Sequence, residues 1–150
     1  MKKNIVITGT SRGVGFELVK KLAEAGHEIL ALSRNTKPTE ELNLDNITSI
    51  STDLSDMNNL DKVVDFIKNS WKKVDILINN AGKLVNKPFS ELTPIDFEEV
   101  YKVNVFAVAE LTKKVLPFMP QKSHVVTISS MGGIQGSMKF PGLAAYSSAK

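Results

Sequence analysis

Tyr146 and Lys150 stand four residues apart in the run Tyr146-Ser147-Ser148-Ala149-Lys150, a spacing that puts two side chains on one face wherever the backbone is helical. A lysine ammonium beside a tyrosine favours the phenolate over the phenol. An ordinary tyrosine, with a pKa of about 10, is almost wholly protonated at neutral pH, so such a neighbour makes it a usable proton donor and acceptor. The same pair also arises on solvated helix faces that do no chemistry. The rest of the chain has to decide between the two.

A second group stands near the other end, in Thr8-Gly9-Thr10-Ser11-Arg12-Gly13-Val14-Gly15. Its glycines let the backbone turn tightly and approach a pyrophosphate, and a helix starting behind them offers free N–H groups and a positive dipole end. Gly9, Ser11, Arg12, Gly13, Val14 and Gly15 are therefore candidate phosphate contacts; an ordinary glycine turn is the plainer reading. The group follows an apolar strand and opens a helix, the context that dinucleotide binding requires. No Gly-Lys-Ser/Thr follows, so it is not a Walker loop.

The elements that must carry these groups alternate. Asn4 to Thr8 reads as a buried strand, Gly13 to Ala25 as a helix closed by Gly26, and His27 to Leu32 as a second strand. A short, weakly helical stretch from Pro38 to Leu44 leads to a third strand, Ile47 to Ser51. Asp56 to Asn69 reads as a helix with Leu60, Val63, Val64 and Ile67 on one face, and Val74 to Ile78 as the fourth strand. Thr93 is a good N-cap before Pro94 and Asp96 for a long helix reaching about Pro117. His124 to Ile128 reads as a fifth strand, followed by a glycine-rich loop from Gly132 to Gly142. Short apolar strands alternating with helices imply a parallel, doubly wound α/β sheet with helices on both faces.

The 150 residues are enough for one domain with a core of its own. Hydrophobic residues make up 42% and charged ones 23%, ordinary values for a globular protein. A net charge of +3 without a block of like charges suits anionic ligands but is no nucleic-acid footprint. The chain has no cysteine, which excludes disulfides, thiol catalysis and cysteine-ligated zinc; no metal is expected. Ile5-Val6-Ile7 is too short for a signal-peptide core, and no run is long enough for a membrane span. A cytoplasmic location is expected.

The spacing Thr-Gly-x-x-x-Gly-x-Gly, Asn79-Asn80-Ala81-Gly82 after the fourth strand, Asn104 in the long helix, Ser129-Ser130 after the fifth strand, and Tyr146 with Lys150 resemble, in order, the motifs of the short-chain dehydrogenase/reductase family. The resemblance runs from Ile5 to Lys150. It implies a Rossmann-type sheet of five strands in the order 3-2-1-4-5. It also implies an oxidoreductase that moves a hydride between a nicotinamide and a carbonyl or secondary alcohol, a small-molecule substrate. Tyr146 would be the acid/base, Lys150 its phenolate stabiliser and nicotinamide-ribose contact, and Ser130 the donor to the substrate oxygen. Ser129 could take that last place, but the family puts the catalytic serine second in such a pair. Asn104 would bend the long helix and hold a water connecting Lys150 to solvent; as an amide within Val103-Asn104-Val105-Phe106 it also needs buried partners.

The cofactor is read at the end of the second strand, Leu32-Ser33-Arg34-Asn35, where no acid appears until Glu40. An acid there would bind the adenosine ribose, whereas an arginine suits a 2′-phosphate. Arg34 with Ser33, and Arg12 from the other side, therefore favour NADP(H) over NAD(H). Asp53-Leu54 falls where the family holds the adenine ring, although Asp53 could also cap a helix. Asn80, Ala81 and Gly82 should line the cofactor cleft, with Asn80 as much a support as a contact.

One departure is the length of the segment from Ser130 to Tyr146, a few residues over the family's commonest spacing. The excess lies around Ser137-Met138-Lys139, in a loop that should border the substrate. Met138 and Phe140 there are either an apolar wall or simple surface residues. Family members continue beyond the lysine with more helix and two further strands, so residues 1–150 read as one dinucleotide-binding domain truncated at its C-terminal end. A binding module with little or no turnover is the rival reading, and self-association is expected through the uncovered fifth strand. An epimerase of the related longer branch fits less well, since its glycines are spaced differently and it lacks the Asn-Asn-Ala-Gly run.

Overall fold

Side chains alternate across a strand, and in the first strand, β1 (Asn4–Thr8), both sets are apolar. Ile5 and Ile7 enter one core and Val6 another. The same division recurs in β2 (Glu28–Ser33), where Ile29 and Ala31 join the first core and Leu30 and Leu32 the second. β4 (Ile76–Asn79) contributes Ile78 to one and Leu77 to the other. A strand buried on both faces must be covered by helices on both.

The structure, a computed structural model, describes residues 1–150. With β3 (Ile47–Ser51) and β5 (His124–Thr127), the strands form one five-stranded sheet in the order β3-β2-β1-β4-β5, every pairing parallel. One face is covered by α1 (Gly13–Glu24), through Val19 and Ala23, with α2 (Lys37–Glu40) beside it. The other is covered by α3 (Asp61–Phe66), through Val63, and by α5 (Ala107–Val115), through Leu111 and Val115. Both faces and the strand order are as expected.

The long helix expected after Thr93 begins with a capping box. The Thr93 hydroxyl accepts from the Asp96 N–H, and the Asp96 carboxylate accepts from the Thr93 N–H. It is, however, three pieces. Helix α4 (Pro94–Tyr101) is joined to α5 by a π-helical turn, Lys102–Phe106, in which the Ala107 N–H reaches back five residues to the Lys102 carbonyl. A similar turn, Ile67–Trp71, prolongs α3 past the expected Asn69 until Lys72 takes a left-handed conformation at φ 62°. The last helix, α6 (Ala144–Ser148), packs Ala145 against Val100 of α4.

Complete covering fails at one margin. All of β5 is exposed, with Val125 at 45% and Val126 at 39%. It pairs only with β4, and neither of the two cores beneath the sheet includes a β5 residue. No helix is long and apolar enough to cross a membrane.

Candidate active site

The glycine loop is seated on the end of β4. Thr8 Oγ1 accepts from the N–H groups of Asn80 (3.0 Å) and Ala81 (2.9 Å), and Asn80 Nδ2 donates to the carbonyls of Thr8 (3.0 Å) and Gly9 (3.1 Å). Asn80 is thus a brace that holds the loop against the sheet. The brace leaves no room for side chains: a Cβ at Gly15 would lie 2.2 Å from the Gly9 carbonyl oxygen, and one at Gly9 2.7 Å from Ala81 Cα. Gly13 differs, since nothing stands within 4 Å; it is needed for its φ of +60°.

Behind the loop, α1 starts without help. Its N-cap, Arg12, makes no side-chain cap, and the first turn holds no acid. Its leading N–H groups and positive dipole end are therefore available to an anion. Arg12 and Arg34 are both exposed, and neither joins an ion pair, which only lysines form in this protein. Ser33 is buried, and its hydroxyl donates to the Asn35 carbonyl at 2.7 Å. It shapes the turn that carries Arg34 and has spent its only hydrogen.

These groups open onto one cleft of about 710 Å³. Gly9, Ser11, Arg12, Gly13, Val14, Ser33, Arg34, Leu54, Asn80, Ala81, Gly82, Tyr146 and Lys150 are among its lining. Every strand delivers its carboxyl end there, through Gly9 after β1, Ser33 of β2, Thr52 after β3, Asn80 after β4, and Ile128 and Ser129 after β5. In an open α/β sheet this is where ligands bind. A second hollow of about 400 Å³, bordered by Thr39, Glu40 and Asp45, contains none of these residues.

Four expected residues stand apart from the lining. Gly15 is buried under the loop. Asp53 is drawn aside by Ser55, whose N–H and hydroxyl both donate to its Oδ1, and these bonds with the nearby Arg34 hold its carboxyl below the usual range. Thr52 and Leu54 line the cleft in its place. Asn104 sits in the π turn with its amide closed on Lys83: Oδ1 accepts from the Lys83 N–H at 2.8 Å and Nδ2 donates to its carbonyl at 2.9 Å. The helix departs from α geometry where Asn104 was expected to bend it, but the side chain anchors the strand-end segment. Ser130 is half-buried, its Oγ accepting from the Gly132 N–H at 3.3 Å.

At the other end of the cleft, α6 stops at Ser148, so Lys150 lies beyond the helix that should have paired it with Tyr146. Its ammonium donates to the Ile128 carbonyl, and desolvation lowers its pKa. Its backbone is fixed as well, since Ser129 Oγ donates to Lys150 O at 2.7 Å. Tyr146 and Lys150 still meet on the same cleft. The hydroxyl hydrogen of Ser129 is spent on that bond, whereas Ser130 donates to no protein group.

Sequence reasoning missed Thr8, whose hydroxyl serves both N–H groups at the β4 end, and the wall residues Leu32, Asn35, Ser55, Lys83, Leu84 and Val103. Thr8 was legible as the first residue of the glycine motif, not as the acceptor that fixes the β4 end. The walls depend on chain approaches that no local pattern records.

A family model described as short chain dehydrogenase matches residues 3–150. The chain is 32% identical to an oxidoreductase, BOA17, of Botryotinia fuckeliana, over 100% of this chain and 56% of that protein. It is 29% identical to the NADPH-dependent 1-acyldihydroxyacetone phosphate reductase of Saccharomyces cerevisiae, over 99% of this chain and 52% of that one. A crystal structure of a short-chain dehydrogenase from Streptomyces avermitilis superimposes with a TM-score of 0.89 at 32% identity, covering 99% of this chain and 56% of the other. The chain spans about half the length of the curated relatives it matches. It belongs to the short-chain dehydrogenase family.

Proposed function

We propose that this member of the short-chain dehydrogenase family is an NADP(H)-dependent oxidoreductase acting on a carbonyl compound or the corresponding secondary alcohol, residues 1–150 forming its dinucleotide-binding domain. The observation that carries the reading is the single cleft at the carboxyl ends of all five strands, with unpaired guanidiniums toward one end and Tyr146 with Lys150 at the other. The residues suit the dinucleotide: Gly9 and Gly15 let the loop pack down onto the β4 end, and α1 presents an uncapped N-terminus to a pyrophosphate. Arg12 and Arg34 supply planar donor forks for a 2′-phosphate. The NADPH dependence of the yeast relative supports that preference.

A nicotinamide held there supplies or accepts the hydride. Tyr146 gives a proton to the carbonyl oxygen in reduction and takes one back in oxidation. Lys150, its ammonium held on the Ile128 carbonyl, brings a positive charge to the same cleft, and electrostatic stabilisation is stronger where water is thinned out. Ser130, its oxygen already accepting from Gly132 and its hydrogen free, donates to the substrate oxygen. Asn104 holds Lys83 and the segment above the cleft; a proton path from Lys150 through a water near the π turn remains part of the proposal. Self-association belongs to it too.

A nucleotide-binding unit with little turnover is the second reading, favoured by the Lys150 ammonium, which donates to the Ile128 carbonyl and makes no hydrogen bond to Tyr146. Steady-state assays with NADPH over a panel of ketones and aldehydes, on wild type and Tyr146→Phe, separate the two. Turnover that falls by at least about a hundredfold in Tyr146→Phe, with unchanged NADPH affinity, supports the enzyme. Tight NADPH binding with no reduction of any carbonyl supports the binding unit, and undiminished turnover in Tyr146→Phe assigns the proton to another group.

A further inference from the structure

Lys139 lies in the segment that makes the Ser130–Tyr146 interval long, and its ammonium forms no ion pair. It is nonetheless fully used. Its three hydrogens meet three acceptors: the carbonyls of Gly132 (2.8 Å) and Ile134 (2.7 Å), and Ser137 Oγ (2.9 Å). Ser137 in turn directs its hydroxyl at the carbonyls of Met131 and Ile134. The charge sits in a nest of peptide oxygens, as a basic side chain does at the end of a helix.

What lies across that nest is Ser130. The peptide unit between Met131 and Gly132 places its N–H on Ser130 Oγ and its carbonyl toward Ser137. The next unit, between Gly132 and Gly133, donates its N–H to the Ser130 carbonyl at 2.9 Å and gives its own carbonyl to Lys139. Two successive peptide planes therefore bridge the Lys139–Ser137 pair to Ser130. A donor on the carbonyl of an amide polarises its N–H, and a hydroxyl that accepts a stronger hydrogen bond becomes a better donor itself. The Gly132 site is crowded as well: a Cβ there would meet Ser147 Oγ at 2.7 Å, and one at Gly133 would strike the Lys150 backbone at 2.3 Å.

We propose that Lys139 is a positioning residue for Ser130: through the Gly132 peptides it fixes the serine oxygen and strengthens its remaining O–H as a donor. The inference rests on the reading of Ser130 as the donor to the substrate oxygen. It also gives the lengthened loop a purpose, since the interval must be long enough for its lysine to fold back on Gly132.

The test uses the full chain with Lys139→Met, Ser130→Ala and the double variant. Amide exchange at Gly132 and Gly133 is followed by NMR, and NADPH-dependent turnover by initial rates. Lys139→Met should speed exchange at both amides by about tenfold or more and lower kcat by about tenfold, with KM for NADPH unchanged. In the Ser130→Ala background the same substitution should cost nothing further. Because the chain has no cysteine, Lys139→Cys alkylated with 2-bromoethylamine rebuilds an ammonium at that one position and should restore both readouts. Unchanged exchange in Lys139→Met overturns the proposal with or without turnover. An equal loss of kcat in the Ser130→Ala background overturns it too, since the lysine would then act elsewhere. Wild-type turnover in Ser130→Ala alone marks the separate failure of the reading beneath it.

Discussion

Arg34 follows β2, exposed and unpaired, and its charge already reaches Asp53, where it helps lower the carboxyl pKa after the stronger hydrogen bonds from Ser55. A phosphate is a better partner than that distant carboxylate, because the guanidinium can offer it two parallel N–H donors. Arg34→Asp should therefore weaken NADPH binding by about 2 kcal/mol or more while leaving NADH nearly untouched, as isothermal calorimetry will show. Equal losses for both cofactors would mean that Arg34 holds the loop and not the phosphate. At this scale residue types and order were legible, but their partners were not. Asp53 was identifiable at the end of β3, yet its capture by Ser55 two residues on is a local turn that competes with any ligand. Asn104 announced a need for buried partners, and only the folded chain could supply Lys83, 21 residues away in sequence.

Elements were readable where a stop or start signal is chemical. Thr93, Pro94 and Asp96 marked the start of α4, and Gly26 the end of α1. The π turn at Lys102–Phe106 was not, because one extra residue in a helical turn hardly disturbs the apolar pattern.

Two predictions belong to elements. In the β1–α1 turn, Gly15→Ala should cost about 3 kcal/mol and abolish cofactor binding, since its Cβ would overlap backbone at 2.2 Å; Gly13→Ala should cost only about 1 kcal/mol, having space but a left-handed φ. Chemical denaturation of both variants checks the contrast, and equal costs would mean the loop is not packed as described. At the start of α4, hydrogen bonds from Lys87 and then from Thr93 hold the Asp96 carboxyl at about 2, below its ordinary 3.8. Between those values the unfolded chain binds the proton and the folded one does not, so stability rises with pH there. The contribution is complete above the ordinary value and disappears as pH falls through about 2. Thermal midpoints measured down this range should fall more steeply for wild type than for Asp96→Asn; parallel curves would remove Asp96 from the account.

For the molecule as a whole, alternation of strands and helices implied a doubly wound parallel sheet and the family resemblance implied its order, and the structure has it as β3-β2-β1-β4-β5. The uncovered fifth strand expected from the sequence is there as well, since β5 is exposed along its length despite its apolar Val125-Val126. The central proposal is also a property of the whole: five strand ends make one cleft, and the exposed Arg12 and Arg34 on its lining are proposed to select a 2′-phosphate. Side-by-side calorimetric titration of the chain with NADPH and NADH tests it most directly. The account predicts NADPH binding tighter by about tenfold or more. NADH binding as tightly as NADPH would contradict it.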